Sequence, residues 1–332
     1  MQNPRRLRLP EAPPVAISTG PPLRGSQRWT TPIRGYAAHA GRIHVPSGSL
    51  LLSDGWGVSV ASLRFRRHAL STGEELASIR TGTAARCFAV LPDDTELIAA
   101  TDSKLFRLGI ARLDERERWE RRVPRYSNSI AVRGSCAVVA NWKDPRVSII
   151  DLATGRVRRR DAPEMMLVVD GPADPLLVSG TRGGGTATID PASGRLSAIR
   201  ETPPAIDAVM DPDALSLWST VGVRGTWSRT SVVPGSPTQT LRRDWLDDRE
   251  PARQFVLPVG VGRIAIGRSE MWLASKTDLV ALPMPVGVGP ARVWHSPADH
   301  KIEWFDPDER VAIVVKRIVR ENAAMATAFD LT

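Results

Sequence analysis

A turn that returns at a fixed interval constrains this chain more than any other feature. It occurs as His68-Ala69-Leu70-Ser71-Thr72-Gly73-Glu74, as Ile150-Asp151-Leu152-Ala153-Thr154-Gly155-Arg156 and as Ile189-Asp190-Pro191-Ala192-Ser193-Gly194-Arg195. Gly155 and Gly194 are 39 residues apart, and Gly73 and Gly155 are 82 apart, which is two periods of 41 with a degenerate copy between them. Self-similarity at about 40 residues means stacked supersecondary units, none of which can bury its apolar face alone. The residue types suit a hairpin: Asp accepts hydrogen bonds from the backbone two residues on, Ser or Thr does so more weakly, and Gly supplies the positive φ of the reversal.

A second turn keeps step with the first, at Pro46-Ser47-Gly48, Pro92-Asp93-Asp94, Arg133-Gly134-Ser135, Gly171-Pro172-Ala173, Asp211-Pro212-Asp213, Gly260-Val261-Gly262 and Asp306-Pro307-Asp308. That makes seven units. Strand-length apolar runs flank each turn, such as Ala85 to Leu91 and Glu96 to Ala100, and helical periodicity is nowhere sustained. Three or four short strands per unit with no helical spacer predict an all-β, seven-bladed β-propeller. Its blades are expected at approximately 43–82, 84–122, 126–160, 164–200, 204–245, 253–290 and 293–332, the last joined by 25–40. The sequence stops at Ala328-Phe329-Asp330-Leu331-Thr332, before a return strand, and Gly25 to Pro32 is placed to supply one. An N-terminal strand would then close the last blade, because an open ring leaves unpaired sheet edges. Residues 1–24, with six prolines and the run Arg5-Arg6-Leu7-Arg8, read as an extension outside the propeller.

The units resemble blades of the propeller superfamily that includes tryptophan–aspartate repeats, quinoprotein dehydrogenases and the archaeal surface-layer type. The resemblance spans about residues 25–332 and is carried by the repeat grammar. Asp151 to Gly155 is similar to the quinoprotein turn, whose motif continues to a tryptophan, whereas Arg156-Val157-Arg158-Arg159-Arg160 follows here. With seven units in place of that family's usual eight, the resemblance implies the fold and not a quinone-dependent activity. The tryptophan–aspartate signature itself is absent.

Composition bears on partners. The chain carries 45 basic residues and 36 acidic ones, a net charge of +9, and all but five of the basic residues (Lys104, Lys143, Lys276, Lys301 and Lys316) are arginine. That bias suits a G+C-rich, bacterial genome, and the charge favours acidic partners. Nucleic-acid binding would rest on charge alone, without aromatic residues interleaved in a basic strand pattern. No secretory h-region and no membrane-length apolar run interrupts the pattern, so a cytoplasmic protein is expected, as a monomer or as part of a hetero-complex. Cys87 and Cys136 lie in apolar strand-like runs and read as buried free thiols.

Function must come from residues that converge at one end of the blades. The hairpins and connections opposite the Gly/Pro/Asp turns collect Trp56, Trp142, Lys143, Arg182, Arg224, Arg122 and Arg160, and Arg80, Arg121, Arg159, Arg200, Arg242 and Arg243 would complete a basic collar. Trp and Arg are the residues enriched in interface hot spots, and the Arg fork suits carboxylates. These residues predict a non-catalytic scaffold for an acidic protein or peptide partner, with no cofactor and no catalytic set. Alternatively the arginines pair with Asp161, Glu201, Asp244 and Asp247 beside them. Trp218, Trp272 and Trp304 are expected to pack between blades. A metal-dependent hydrolase or lyase is the competing reading, resting on Asn128, Asp207 and Glu303, although the turns align Asp207 with Ile302 and not with Glu303. His295 and His300 lack a metal-ligand spacing, and Gly183-Gly184-Gly185 lacks the helix and lysine of a phosphate loop.

Overall fold

A computed structural model of the chain describes residues 6–8, 10–35, 40–55, 58–59, 62–101, 104–120, 127–141, 145–162, 166–171, 174–179, 185–211, 213–222, 238–247, 249–318, 321 and 323–332. Seven antiparallel sheets follow one another along the chain, and a 3-10 turn lies at Val45–Ser47. The fold is an all-β, seven-bladed β-propeller.

The chain divides into two compact units, residues 22–127 with 294–332 and residues 1–21 with 128–293. The first unit holds blade 1 (Ala40–His44, Ser49–Ser53, Arg64–Ala69, Glu75–Arg80), blade 2 (Ala85–Val90, Glu96–Thr101, Lys104–Gly109, Glu115–Glu120) and blade 7. Blade 7 takes three strands from the end of the chain (His300–Asp306, Val311–Ile318, Ala323–Leu331) and its fourth, Gly25–Ile33, from near the beginning. That fourth strand runs antiparallel to Ala323–Leu331, from Gly25 opposite Leu331 to Ile33 opposite Ala324. The other unit holds blade 3 (Ser127–Arg133, Cys136–Asn141, Arg146–Asp151, Val157–Asp161), blade 4 (Met166–Val169, Leu176–Ser179, Thr186–Thr188, Ile199–Glu201), blade 5 (Ala205–Asp211, Ser216–Val221, Thr238–Trp245, Arg253–Val261) and blade 6 (Arg263–Ile266, Glu270–Ala274, Asp278–Pro283, Arg292–His295).

The strands differ by their order in the blade. Second strands are continuous buried runs, such as Leu50-Leu51-Leu52, Ile98-Ala99-Ala100 and Met271-Trp272-Leu273, the pattern of strands covered on both faces. Fourth strands of blades 1 and 3 are mostly exposed or half-buried, and that of blade 3 is largely charged, as bare sheet edges usually are. Apolar clusters lie between successive blades: Phe65, Phe88, Leu97 and Phe106 between blades 1 and 2, and Trp218, Phe255, Met271 and Leu273 between blades 5 and 6. Trp218, Trp272 and Trp304 are all buried, Trp218 in the cluster between blades 5 and 6 and Trp304 in the one between blades 7 and 1. Hydroxyl groups tie neighbouring blades together. Ser53 Oγ accepts from the Ala85 N–H at 3.0 Å, Ser129 Oγ accepts from the Val168 N–H at 2.8 Å, and Thr220 Oγ1 donates to the Gly262 carbonyl at 2.9 Å.

One boundary differs from the reading of the sequence. Arg253–Val261 pairs with Thr238–Trp245 as the fourth strand of blade 5, so blade 6 begins at Arg263 and not at 253. Gly260-Val261-Gly262 therefore links two blades. The hairpin turn of blade 6 is at Gly267-Arg268-Ser269, between Ile266 and its partner Met271. Two glycines flanking a valine have the composition of a turn in either place, and only strand pairing separates the two.

Residues 6–8 and 10–20, expected to lie outside the propeller, instead form a strap along fourth strands. Arg6–Arg8 adds to blade 4 parallel to Ile199–Glu201, Glu11 bridges Ala252, Val15–Ala16 adds to blade 5 parallel to Phe255 and Val256, and Thr19 bridges Ala291 ahead of the last strand of blade 6. The Ala12 N–H donates to the Ala252 carbonyl at 2.8 Å and the Ala252 N–H to Pro10 at 2.9 Å. Further on, Ile17 donates to Val256 at 2.9 Å and Gly20 to Ala291 at 2.7 Å. Ile17 is buried in the cluster between blades 5 and 6, which stabilises the contact by about 1.5–3 kcal/mol.

Candidate functional site

The recurrent turns consume their own acidic residues. Asp151 Oδ1 accepts from the N–H groups of Ala153 and Thr154 at 3.0 and 2.8 Å, and Asp190 Oδ1 accepts from Ala192 at 2.8 Å. Gly155 and Gly194 adopt φ of 64° and 74°, which a side chain would strain. Hydrogen bonds from Thr154 hold Asp151 below the usual carboxylate range, and those from Ser193 and Ala192 do the same for Asp190. They are structural acceptors.

Of the residues expected to bind a partner, Trp56, Trp142, Lys143, Arg182, Arg224 and Arg122 lie outside the described residues. The strand ends nevertheless fix which connections carry them. Trp56, Trp142 with Lys143, Arg182 and Arg224 fall between the second and third strands of blades 1, 3, 4 and 5, and Arg122 falls between blades 2 and 3. Arg160 ends the fourth strand of blade 3, half-buried, with Nη2 donating to the Ser193 carbonyl at 3.3 Å and Nε lying against Gly194. It braces the turn of blade 4.

The basic collar is only partly a surface. Arg80 and Arg159 are exposed, but Arg200 donates to the carbonyls of Trp245, at 2.8 Å, and Leu246. Arg243 stacks 3.7 Å from the Trp245 ring centroid and 4.9 Å from that of Trp218, and burial pushes its guanidinium below the ordinary arginine value. Adjacent residues of a strand point to opposite faces, so Arg242 faces away from Arg243 and is 1% exposed. It pairs with Asp244, one of the carboxylates that the sequence sets beside it.

Two buried arginines form matching clamps. Leu70 donates its N–H to Gly48 at 2.8 Å and Leu246 donates to Leu215 at 2.9 Å, marking the same point of the repeat. Arg66 and Arg242 each lie four residues before that leucine. Arg66 grips Asp54 with Nε and Nη2, at 2.6 and 3.0 Å, and reaches Glu75 with Nη1. Arg242 Nε bonds both oxygens of Asp244, at 3.0 and 2.9 Å, and its Nη1 reaches Glu11 Oε1 of the strap at 2.6 Å. Burial alone would lower both guanidinium groups, but the hydrogen bonds and charges of their carboxylates raise them above the ordinary arginine value. Burial outweighs Arg242 at Asp244 and pushes that carboxyl up. At Glu75, burial acts the same way, but hydrogen bonds from Ser78 and Arg66 prevail and hold it below the usual range.

The residues of the hydrolase reading sit on the first strands of blades 3, 5 and 7. Asp207 sits in the ladder opposite Thr220, with Oδ2 accepting from the Ile264 N–H at 3.3 Å. Glu303 is the extra residue of a bulge between Ile302 and Trp304, so register gives the two carboxylates different roles. Asn128 Oδ1 accepts from Ser129 Oγ at 2.9 Å. His300 Nδ1 is 2.8 Å from the Ala298 carbonyl of its own turn, and His295 is exposed. Among the described residues no three His, Cys, Asp or Glu side chains are grouped as metal ligands. Cys87 is fully buried, whereas Cys136, opposite Asp151 at the start of its strand, is half-buried; neither is in a disulfide.

No family model matches the chain, and no curated protein matches it in sequence. Among solved structures, the Pan2 WD40 domain of Neurospora crassa superposes with a TM-score of 0.65 at 8% identity, covering 92% of this chain and 95% of that one. This chain has the fold of a WD40 propeller. At that identity the likeness is one of fold alone, and the propeller's functional residues must be argued from its own side chains. Among the described residues no helix is long and apolar enough to cross a membrane.

The strap, its contact with Arg242 and the clamp at Arg66 have no counterpart in the reading of the sequence, which set only Asp244 beside Arg242. A signal for the strap exists in Val15-Ala16-Ile17, an apolar triplet amid prolines, and one for the clamps in Arg66 and Arg242, whose neighbours Phe65 and Leu241 are core residues.

Proposed function

We propose that this propeller is a non-catalytic scaffold that binds an acidic protein or peptide partner, acting in the cytoplasm alone or within a hetero-complex. Trp56, Trp142, Lys143, Arg182, Arg224, Arg122 and Arg160 are its contact residues. What supports this reading is position in the sequence: in four blades a tryptophan, lysine or arginine falls between the second and third strands. Aromatic anchors with adjacent arginine forks give affinity through burial and direction through charge.

Affinity capture with the full-length chain tests it. Replacing both Trp56 and Trp142 with Ala is expected to lower retention of at least one partner by more than tenfold with thermal stability unchanged, and Arg182→Glu should slow association most at low salt. Retention of every partner at the wild-type level by the double variant would refute the proposal.

A further inference from the structure

We infer that the outer edges of blades 4 to 6 form a strand-addition site for an extended peptide, that residues 6–20 are its built-in occupant, and that it selects an acidic residue followed six positions later by a branched apolar one. The site is separate from the Trp- and Arg-bearing connections, so it stands or falls independently of them.

Three observations carry the inference. The strap pairs parallel to the fourth strands of blades 4 and 5 and bridges Ala252 and Ala291, so the edges already accept a peptide backbone in a fixed direction and register. Main-chain pairing of this kind supplies affinity, and side-chain positions supply selectivity. The acidic position is set by Arg242, a cation 1% exposed whose Nη1 meets Glu11 while its buried Nη2 has no hydrogen-bond partner among the described residues. One donor is therefore left over for the second oxygen of a carboxylate that approaches more squarely. The apolar position is the slot of Ile17, six residues on, between blades 5 and 6.

The occupant is poorly suited to hold its place. Pro10, Pro13 and Pro14 have no N–H to donate, and Glu11 is half exposed where it meets Arg242. Tethering supplies what the contacts lack, since a short linker gives an effective concentration on the order of millimolar. A partner segment with an acid and a branched residue at this spacing, and with donors in place of the prolines, would compete with it.

The test uses the full-length chain and a fluorescein-labelled synthetic peptide with the sequence of residues 6–20. Glu11→Arg in the protein sets a cation against Arg242, so this variant should bind the peptide at least tenfold more tightly than the wild-type protein. Peptides carrying Glu11→Arg or Ile17→Ser should lose at least tenfold. If the variant binds no better than wild type, or the three peptides bind alike, the inference fails. Should the variant not fold, excess unlabelled peptide added to wild-type protein is expected to speed amide exchange at Ala12, Ile17 and Gly20 at least tenfold, leaving Thr238–Trp245 unaffected. Unchanged exchange at those three amides would equally overturn it.

Discussion

Blades 1 and 5 bury an arginine at the same point of the repeat but draw the outer carboxylate from different places. In blade 1 it is Glu75, nine residues along the same hairpin; in blade 5 it is Glu11, 231 residues away on the strap. A buried guanidinium needs counter-charge and hydrogen bonds wherever they can be found. A hairpin that supplies them locally is self-contained. A hairpin that does not is coupled electrostatically to whatever lies across its edge.

The strongest way to break the comparison is to remove each arginine. Arg242→Ala leaves the buried Asp244 carboxylate without its partner, and Arg66→Ala leaves Asp54 in the same position, so each should cost about 3–5 kcal/mol in urea denaturation. A cost below about 1 kcal/mol for either would mean that the two clamps are not alike. The outer carboxylates come next. Glu75 and Glu11 are 39% and 50% exposed, so solvent screening limits Glu75→Gln to about 1 kcal/mol and Glu11→Gln to about 0.5 kcal/mol. Their locations sharpen the contrast: hydrogen exchange should quicken at Glu75–Arg80 in the first variant and at Ala252 and Ala291 in the second.

Acid provides the smallest effect, with opposite signs in the two blades. Glu75 is held below the ordinary glutamate value, so its contribution is present above that value and is lost as pH falls through the folded one. Asp244 is pushed above the ordinary aspartate value, so its contribution is full below that value and is lost as pH rises through the folded one. Denaturation midpoints of Glu75→Gln and Asp244→Asn, each compared with wild type across this range, should therefore converge with wild type in acid.

The propeller was legible because its signals are local. Asp, Ser or Thr, and Gly at fixed offsets encode turns such as Asp151 to Gly155, and apolar runs such as Ile98 to Ala100 encode strands buried on both faces. The strap was not legible, since parallel pairing of Val15 with Phe255 joins segments that share no turn and carry no common pattern. Gly260-Val261-Gly262 misled for a related reason, its composition suiting a hairpin and a link between blades equally. The collar failed at Arg242 and Arg243 because arginine can be satisfied inside a sheet by a carboxylate or between indole rings, and the sequence marks neither. Candidate contacts such as Trp56 and Trp142 were legible only as residue types in the right connections.

The pairing of Gly25–Ile33 with Ala323–Leu331 bears on how the molecule is made. Arg28 meets Asp330 across 302 residues, so the segment that leaves the ribosome early has no seat until almost the whole chain has followed it. Searching across so long a loop is slow. Residues 25–33 thus remain an unclaimed β-strand while the blades between are made, and a chaperone that shields them would raise the yield of native molecules more than one that shields any blade made of consecutive strands.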